Sequence, residues 1–437
     1  MKSKKILILG SDFGTIEVVK EAHRRNMYVI VSDLMKTSPS KELADESWMI
    51  STTDIDLLEK KCKEENISAI MFGASDFNIN NCRELCKKLD LPIYCNNDYS
   101  WKIARNKRKF KDLCKRIGAP IATDYIVSDN LKKEELAQIN YPVVVKPCDK
   151  SGNRGMSFCN NEKELVEAYH KAREISSEKI IIERKLTGKE YNIHYALADG
   201  ESTLLYFSST HHEPDYSSNL YSFKVTTSEH LKQFIDEVDS KLKQVFKEAK
   251  CKEGIVWVDA IRDNDGHFYL LEMGYRFGGV MTYVPYKYVS NFNTISWMLD
   301  CSLGIKHKKE DLPMLSFPLT SVAASYHLFT KKSGMINKID GLDELEKMDN
   351  VFIDLPKRSN NEVRYNVCMG LLGIYGETIE ELCSTLKKIN KYLKVRDKDN
   401  TNMFINYDDY DELIREYYSG MKQFNKEETV KDYDSNS

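Results

Sequence analysis

The feature that most constrains the fold is a pair of apolar strands that meet at a turn and each carry one acidic residue. The strands read GIVWVDAIRD and HFYLLEMG, and residues 264–266 between them have the sequence Asn-Asp-Gly, which is typical of tight hairpin turns. If residues 263 and 268 pair, Asp259 faces Glu272 across the hairpin. Because like charges directly opposite one another destabilise a sheet, the pattern predicts a divalent metal ion between the two carboxylates. Two solvent-facing acids are the alternative.

A second constraint is a lysine that ends an apolar strand just before a glycine-containing loop. The segment reads YPVVVKPCDKSGNRGMSF, with Lys146 at the end of the strand and Arg154 within the loop. A buried ammonium group is costly without an anion, and loop N–H groups can bind phosphates. The order of strand, Lys-Pro, loop and strand differs from a Walker loop, in which the lysine opens a helix. We therefore predict a nucleotide phosphate site, with an ordinary surface hairpin as the alternative.

These motifs resemble the ATP-grasp superfamily, and biotin carboxylase in particular, in which a lysine precedes a short glycine-rich stretch and Arg-Gly-Met. Here Arg154 begins that triplet eight residues after Lys146. The resemblance implies that Lys146 contacts ATP phosphates and that residues 150–157 form a mobile lid. It also implies a set of ATP-binding residues, namely Lys107, Lys146, Ser151, Gly152, Gly155, Glu183, Lys185, Leu186 and Glu190.

Within that set the resemblance implies separate roles. Lys107 resembles the upstream ATP-binding lysine of the family. Glu183, Lys185 and Leu186 are similar to the hinge strand whose backbone and carboxylate bind adenine, and Glu190 resembles the ribose ligand. Carboxylates suit both roles, because they accept hydrogen bonds from an amino group or from sugar hydroxyls.

The metal hairpin of the family carries an acidic residue on one strand and Glu-x-Asn-x-Arg on the other, where this chain has Glu272, Gly274 and Arg276. Asp259 and Glu272 are the implied metal ligands, whereas Gly274 lacks the amide that would bind a second ion. The implied cofactors are ATP and Mg²⁺, with Mn²⁺ as a substitute. Cations near the phosphates neutralise charge on a transferring phosphoryl group, and the implied catalytic residues are Arg276, Arg154 and Lys146.

The predicted fold class is α/β. Alternating strand and helix patterns at the start are typical of a doubly wound parallel sheet, and we assign residues 1–98 to a Rossmann-like domain. The resemblance then implies a two-lobed ATP-grasp domain over residues 99–310, with a lid lobe at about residues 125–190. A small α+β C-terminal lobe over residues 311–420 and a frayed tail over residues 421–437 complete the prediction.

The resemblance implies an ATP-dependent ligase that activates a carboxylate as an acyl phosphate and joins it to an amine, with release of ADP and phosphate. We expect His211, His212 and Glu213 to hold or deprotonate that amine, with an exposed polar loop as the alternative. Three other functions stay open. They are a biotin carboxylase or carbamoyl-phosphate-type enzyme, an ATP-binding regulator without catalysis, and a nicotinamide enzyme that uses Gly10 and Asp33.

The composition and charge of the chain limit the kinds of partner that it is expected to bind. The formal net charge of −3 argues against general nucleic-acid binding, which needs a clustered excess of basic residues. No apolar run approaches the ~18 residues of a membrane span, and no targeting segment is visible. The 11 scattered cysteines are typical of reduced thiols, so we expect a cytoplasmic protein. The expected partners are small-molecule carboxylates and amines, amino acids among them, with no nucleic acid or membrane and with a homodimer as the candidate assembly.

Overall fold

The first part of the chain forms the parallel sheet that the alternating pattern predicts. The computed structural model describes residues 4–150, 154–212, 221–314, 317–355, 361–365 and 367–434. Its first strands are β1 (Lys5–Leu9), β2 (Tyr28–Ser32), β3 (Glu46–Trp48) and β4 (Ile67–Phe72). They pair in parallel in the order β3-β2-β1-β4. The helices here are α1 (Thr15–Arg24), α2 (Pro39–Leu43), α3 (Ile55–Glu65), α4 (Asp76–Leu89), α5 (Asp98–Arg105) and α6 (Lys107–Ile117).

A small antiparallel sheet forms a separate lobe within the segment predicted as the lid. Its strands are β5 (Asp124–Tyr125), β6 (Val143–Pro147), β7 (Ser157–Cys159) and β8 (Ile180–Arg184), in the order β5-β8-β6-β7. Helices α7 (Lys133–Leu136) and α8 (Glu162–Ile175) belong to this lobe. Val145, Leu165 and Ile182 are part of an apolar cluster of its own. Because this core is self-contained, the lobe can hold its shape without the rest of the chain packed into it.

The largest sheet has eight strands and extends from the middle of the chain into its C-terminal part. The middle part provides β9 (Lys189–Ala198), β10 (Glu201–His212), β11 (Tyr221–Thr226), α9 (Leu231–Phe234), a π-helical turn (Ile235–Asp239), α10 (Ser240–Glu248), β12 (Gly254–Arg262), β13 (Phe268–Gly274), α11 (Tyr283–Ser290) and α12 (Thr294–Ser302). Helix α10 and the strands around it pack on the same apolar cluster as the N-terminal sheet. These two regions therefore share one core.

The C-terminal part continues this sheet. Its elements are a 3-10 turn (Lys309–Asp311), β14 (Val322–Leu328), β15 (Gly334–Met335), β16 (Lys338–Asp340), α13 (Leu342–Glu346), β17 (Val351–Asp354), β18 (Glu362–Val363), β19 (Gly370–Gly376), α14 (Ile379–Tyr392), β20 (Lys394–Arg396) and α15 (Tyr410–Asp434). The strand order β13-β12-β9-β10-β11-β14-β19-β17 crosses the boundary predicted at residue 310. The last helix continues to Asp434, where fraying was predicted from residue 421.

These elements confirm the α/β class, with a four-stranded parallel sheet at the N-terminus and antiparallel sheets after it, the largest of eight strands. None of the helices in the described ranges is long and apolar enough to cross a bilayer.

The hairpin of β12 and β13 has the predicted carboxylate pair but reaches it through a different register. Next to the turn Arg262, and not residue 263, pairs with Phe268. A β-bulge after Asp259 then shifts the pairing by one residue and brings Asp259 opposite Glu272. Successive side chains of a strand alternate between faces, so without the bulge the two carboxylates would lie on opposite faces of the sheet.

Candidate active site

A cleft between the lid lobe and the large sheet collects most of the predicted site residues. It encloses about 680 Å³. The predicted residues that line it are Arg154, Lys107, Lys146, Glu183, Lys185, Leu186, Glu190, His212, Asp259, Glu272 and Arg276. Gly155 and His211 are not among its lining residues. The predicted residues Ser151, Gly152 and Glu213 lie outside the described part of the chain.

Glu183 lies between two lysines at the inner end of the cleft. One carboxylate oxygen contacts the Lys146 ammonium group and the other contacts that of Lys111 on α6. The side chain of Lys111 is 0% exposed and that of Glu183 is 4% exposed. Although burial opposes ionisation, the two lysines hold the pKa of Glu183 down to about 2. Burial lowers the pKa of Lys111. We call these three residues the cleft triad.

The cleft triad changes the predicted role of Glu183. Its carboxylate was predicted to bind adenine, but both oxygens contact lysines instead. The physical reason is the burial of Lys111 and Lys146, which need an anion close by. Lys185 and Leu186 line the cleft, so an adenine contact through the backbone of this strand stays a prediction. Lys111 was missed, although its spacing of four residues from Lys107 places both on one face of α6.

Lys107 connects the lid lobe to the carboxylate pair. Its ammonium nitrogen lies 2.6 Å from a Glu272 oxygen. The same nitrogen donates to the carbonyl oxygen of Lys150 at 2.7 Å. Lys107 is placed by the start of α6, where Asn106 accepts a hydrogen bond from the N–H of Lys109 and caps the helix. One cation therefore contacts both walls of the cleft.

Asp259 and Glu272 fit a divalent ion that is bound together with a phosphate ligand. Asp259 also accepts a hydrogen bond of 2.6 Å from the Asn192 amide, which orients its carboxylate. Burial raises the pKa of Asp259 to about 6; Glu272 adds to this effect and Lys224 opposes it. Among the described residues no group of three or more His, Cys, Asp or Glu side chains is placed to hold a metal ion. A pair of carboxylates that leaves other positions to phosphate and water suits Mg²⁺.

Trp257 fills the position at which the family pattern has an asparagine side chain. Trp257 pairs with Gly274 across the hairpin, and a Cβ at Gly274 would lie 2.2 Å from the indole ring. The Arg276 guanidinium lies 5.2 Å from the centre of the same ring. Its Nε donates to Asp76 on α4 at 2.7 Å. Gly274 is therefore required by the indole, and Arg276 is fixed between an aromatic face and a carboxylate.

The two histidines at the end of β10 lie on opposite faces of the sheet. His212 lines the cleft, and its Nε2 is 3.8 Å from a Glu190 oxygen. His211 is 2% exposed and contacts Glu412 and Glu416 of α15. The predicted role of His211 in holding a substrate amine is therefore wrong, because strand alternation turns it away from the cleft. The role predicted for His212, which lines the cleft, stays a prediction.

Lys224 on β11 lines the cleft and was not among the predicted residues. It is 7% exposed. Together with His212 it holds the pKa of Glu190 below its usual value, although burial opposes this. Lys224 shares one face of the strand with Ser222 and Thr226, while the apolar residues Phe223 and Val225 lie on the other face. That polar face is the signal that could have identified Lys224.

The glycine loop that suggested a nicotinamide site is occupied by the chain itself. The Gly14 N–H donates to a carboxylate oxygen of Asp354 at 2.7 Å. A Cβ at Gly14 would lie 2.5 Å from the Tyr283 hydroxyl oxygen. In a dinucleotide site such an N–H would be free to bind pyrophosphate. Here the hydrogen bond from Gly14 to Asp354 joins the C-terminal part of the large sheet to the N-terminal domain.

The segment of the chain that contributes Lys146, Glu183, Asp259 and Glu272 to the cleft is similar to a known protein family. Residues 139–284 match the family model of the ATP-grasp domain. This chain contains an ATP-grasp domain. The matched residues include Lys146 and Glu183 of the cleft triad and the facing carboxylates of Asp259 and Glu272, so the match confirms the resemblance drawn from those motifs.

Curated relatives match this chain over part of their length. The formate-dependent phosphoribosylglycinamide formyltransferase of Prochlorococcus marinus is 31% identical over 180 residues, which are 41% of this chain and 46% of that protein. The carbamoyl phosphate synthase large chain of Clostridium botulinum is 24% identical over 304 residues, 65% of this chain and 28% of that protein. The chain thus spans less than half the length of these two relatives.

Solved structures show the same fold over nearly the whole chain. The biotin carboxylase domain of the Hydrogenobacter thermophilus 2-oxoglutarate carboxylase, in complex with MgADP, ADP and bicarbonate, has a TM-score of 0.73 at 16% identity and covers 92% of this chain and 96% of that chain. The L-amino acid ligase of Bacillus licheniformis has a TM-score of 0.71 at 17% identity and covers 90% and 99%. At these identities the likeness concerns the fold alone.

Proposed function

We propose that this chain is an ATP-dependent, ADP-forming ligase that joins a carboxylate to an amine. The observation that carries the proposal is the Asp259–Glu272 pair, which faces the same cleft as the cationic side chains of Lys107 and Lys146. Facing carboxylates beside clustered cations suit a divalent ion bound together with a nucleoside triphosphate. A structural relative that is named an L-amino acid ligase supports this reaction class.

In the proposed complex the nucleotide lies between the lid lobe and the large sheet. Lys146 and Arg154 bind its phosphates, the segment with Lys185 and Leu186 contacts the adenine, and Glu190 binds the ribose. Bound Mg²⁺, or Mn²⁺ in its place, would polarise phosphate oxygens as a Lewis acid, with Asp259 and Glu272 as its protein ligands. The lining of the cleft by all seven side chains supports this arrangement.

In the first step a substrate carboxylate oxygen attacks the γ-phosphorus, and the bond from that phosphorus to the ADP oxygen breaks. Lys146 and Arg154 neutralise the charge that develops on the phosphoryl oxygens. The product is an acyl phosphate, which water would hydrolyse. The lid lobe, with its own core, excludes water when it closes over the nucleotide.

In the second step the amine attacks the acyl carbon and inorganic phosphate leaves. Arg276, held by Asp76 and Trp257, stabilises the tetrahedral oxyanion. His212 takes the proton that the amine loses, because it is the predicted histidine that lines the cleft. ATP is required because the formation of an amide from a free carboxylate and an ammonium ion has an unfavourable free energy in water.

A product analysis tests this reaction. The chain is incubated with ATP, Mg²⁺ and a panel of amino acids and small acids, and ADP, phosphate and amide are quantified. We expect the three products in equal amounts. Glu272→Gln should abolish turnover while the chain stays folded, whereas Glu201→Gln, which changes an exposed glutamate of the same sheet, should leave turnover unchanged.

Other product patterns would contradict the proposal. AMP and pyrophosphate would indicate adenylation of the acid. ADP release that depends on bicarbonate and needs no amine would indicate a carboxylase. Tight ATP binding without hydrolysis across the whole panel would indicate a regulator, an outcome in line with the loss of the family asparagine at Gly274.

A further inference from the structure

A second buried glutamate lies behind the cleft, on the other side of strands β9 and β10. Glu416 of α15 is 4% exposed. Its carboxylate contacts the ammonium group of Lys189 on β9 and lies 3.1 Å from Nε2 of His211 on β10. Glu412, one turn earlier, accepts from Nδ1 of His211 at 2.9 Å. We call these four residues the back cluster.

The back cluster lies at the point where the backbone pairing between β9 and β10 ends. In the described part of the chain, the pairing of β9 with β10 ends at Tyr191 and Ser209. Lys189 and His211 lie just beyond that last pair, one on each strand. Because a single carboxylate contacts both, Glu416 joins the ends of β9 and β10 from behind.

The next residue on each strand points to the opposite face. Glu190 follows Lys189, His212 follows His211, and both line the cleft. Their side chains lie 3.8 Å apart. In a strand, adjacent side chains share one rigid backbone, so a shift of Lys189 or His211 displaces its neighbour in the cleft.

We propose that Glu416 is a positioning residue for nucleotide binding, which sets the distance between Glu190 and His212 by holding together the strands that carry them. The inference rests on the proposed function, in which Glu190 binds the ribose. Glu416 does not touch the nucleotide itself. The C-terminal helix thus becomes part of the nucleotide site, although it lies behind the sheet.

Nucleotide affinity tests this role. The dissociation constant of ATP is measured by calorimetry on the full chain, with the melting temperature recorded alongside. Glu416→Gln keeps the shape but removes the charge, and we expect about a five- to tenfold weaker affinity with unchanged stoichiometry. Glu416→Asp retracts the carboxylate and should give a smaller loss. Tyr418 lies on the same helix as Glu416, and Tyr418→Phe removes its exposed hydrogen bond to Glu380 of α14, which should leave ATP affinity unchanged.

A double variant separates positioning from general destabilisation. If Glu416 acts through Glu190, Glu416→Gln should have no further effect on affinity in a Glu190→Gln background. A full additive loss there, or unchanged affinity in both Glu416 variants, would overturn the inference and leave the proposed function standing. A wild-type chain that binds no ATP would overturn the proposed function and this inference with it.

Discussion

Two buried glutamates of this chain each lie between two cations, but their surroundings differ. In the cleft triad Glu183 contacts Lys111 and Lys146, and the side of Lys146 is open to the cleft. In the back cluster Glu416 contacts Lys189 and His211, and the further carboxylate of Glu412 lies on the same histidine. The cleft triad has more positive than negative charge, whereas the back cluster does not.

The difference shows how a binding cluster can be told from a structural one. A buried cation that has its own carboxylate holds two parts of a fold together. A buried cation that shares its carboxylate keeps part of its charge for an anion that arrives from outside. The excess positive charge of the cleft triad lies beside the cleft, as expected for a phosphate site. The back cluster has no such excess.

The largest effect should come from removing the shared carboxylate of the triad. Glu183→Gln leaves two buried lysines without an anion, which should lower the free energy of unfolding by about 3–5 kcal/mol. ATP should restore part of that loss, because its phosphates supply the missing charge. Urea unfolding with and without ATP measures both effects, with Glu174→Gln on the exposed face of α8 as the control. Equal stability of the variant and the wild type would break the comparison.

The stability of the back cluster should depend on pH. Although burial opposes it, Glu416 and Glu412 raise the pKa of His211 to about 9, above the ordinary 6.5. The stability it contributes, about 3 kcal/mol, is complete below pH 6.5 and is lost as the pH rises through 9. Urea unfolding of the wild type and of His211→Gln from pH 6 to pH 10 isolates this contribution. A difference between the two chains that stays constant with pH would contradict it.

A smaller effect is expected on ligand affinity. Lys146→Ala removes the cation that faces the phosphates and should cost about 2 kcal/mol of ATP binding, or about 30-fold in affinity. Lys133→Ala changes an exposed lysine of the same lobe and should bind ATP as the wild type does. Calorimetry measures both. Unchanged affinity in Lys146→Ala would mean that the excess charge of the triad does not serve phosphate.

The smallest effect concerns a buried carboxylate that is bonded to a backbone amide in place of a cation. Burial raises the pKa of Asp354 to about 7, so its ionisation destabilises the fold as the pH rises from 4 to 7. Asp354→Asn can still accept from Gly14 and should gain up to about 1 kcal/mol at pH 8. Thermal melting at pH 4 and pH 8 would show this gain, and a loss of stability at pH 8 would contradict it.

The sequence predicted the fold class and the residues of the cleft better than their contacts. Asp259 was placed opposite Glu272, but from a turn register that the structure does not have. The bulge that restores the pairing leaves no mark in the pattern of apolar residues. Apolar alternation locates a strand, but it does not show where one extra residue enters the ladder.

The missed and misassigned residues share a physical cause. Lys111 is a basic residue in a basic helix, and its burial is explained only by Glu183, 72 residues later in the chain. His211 and His212 are adjacent, and which one faces the cleft depends on the packing of α15 behind the sheet. Burial of a charge is decided by distant partners, which local patterns do not contain.

The indole that displaces the family asparagine also gives the cleft an optical signal. Of the four tryptophans in the chain, Trp257 lines the cleft, while Trp48, Trp101 and Trp297 are 5%, 7% and 6% exposed and belong to the apolar core. Trp257 lies against Arg276, on the same strand as Asp259 and two residues before it. Occupation of the cleft should therefore change the fluorescence of one residue against a constant background, so that binding can be followed without a label.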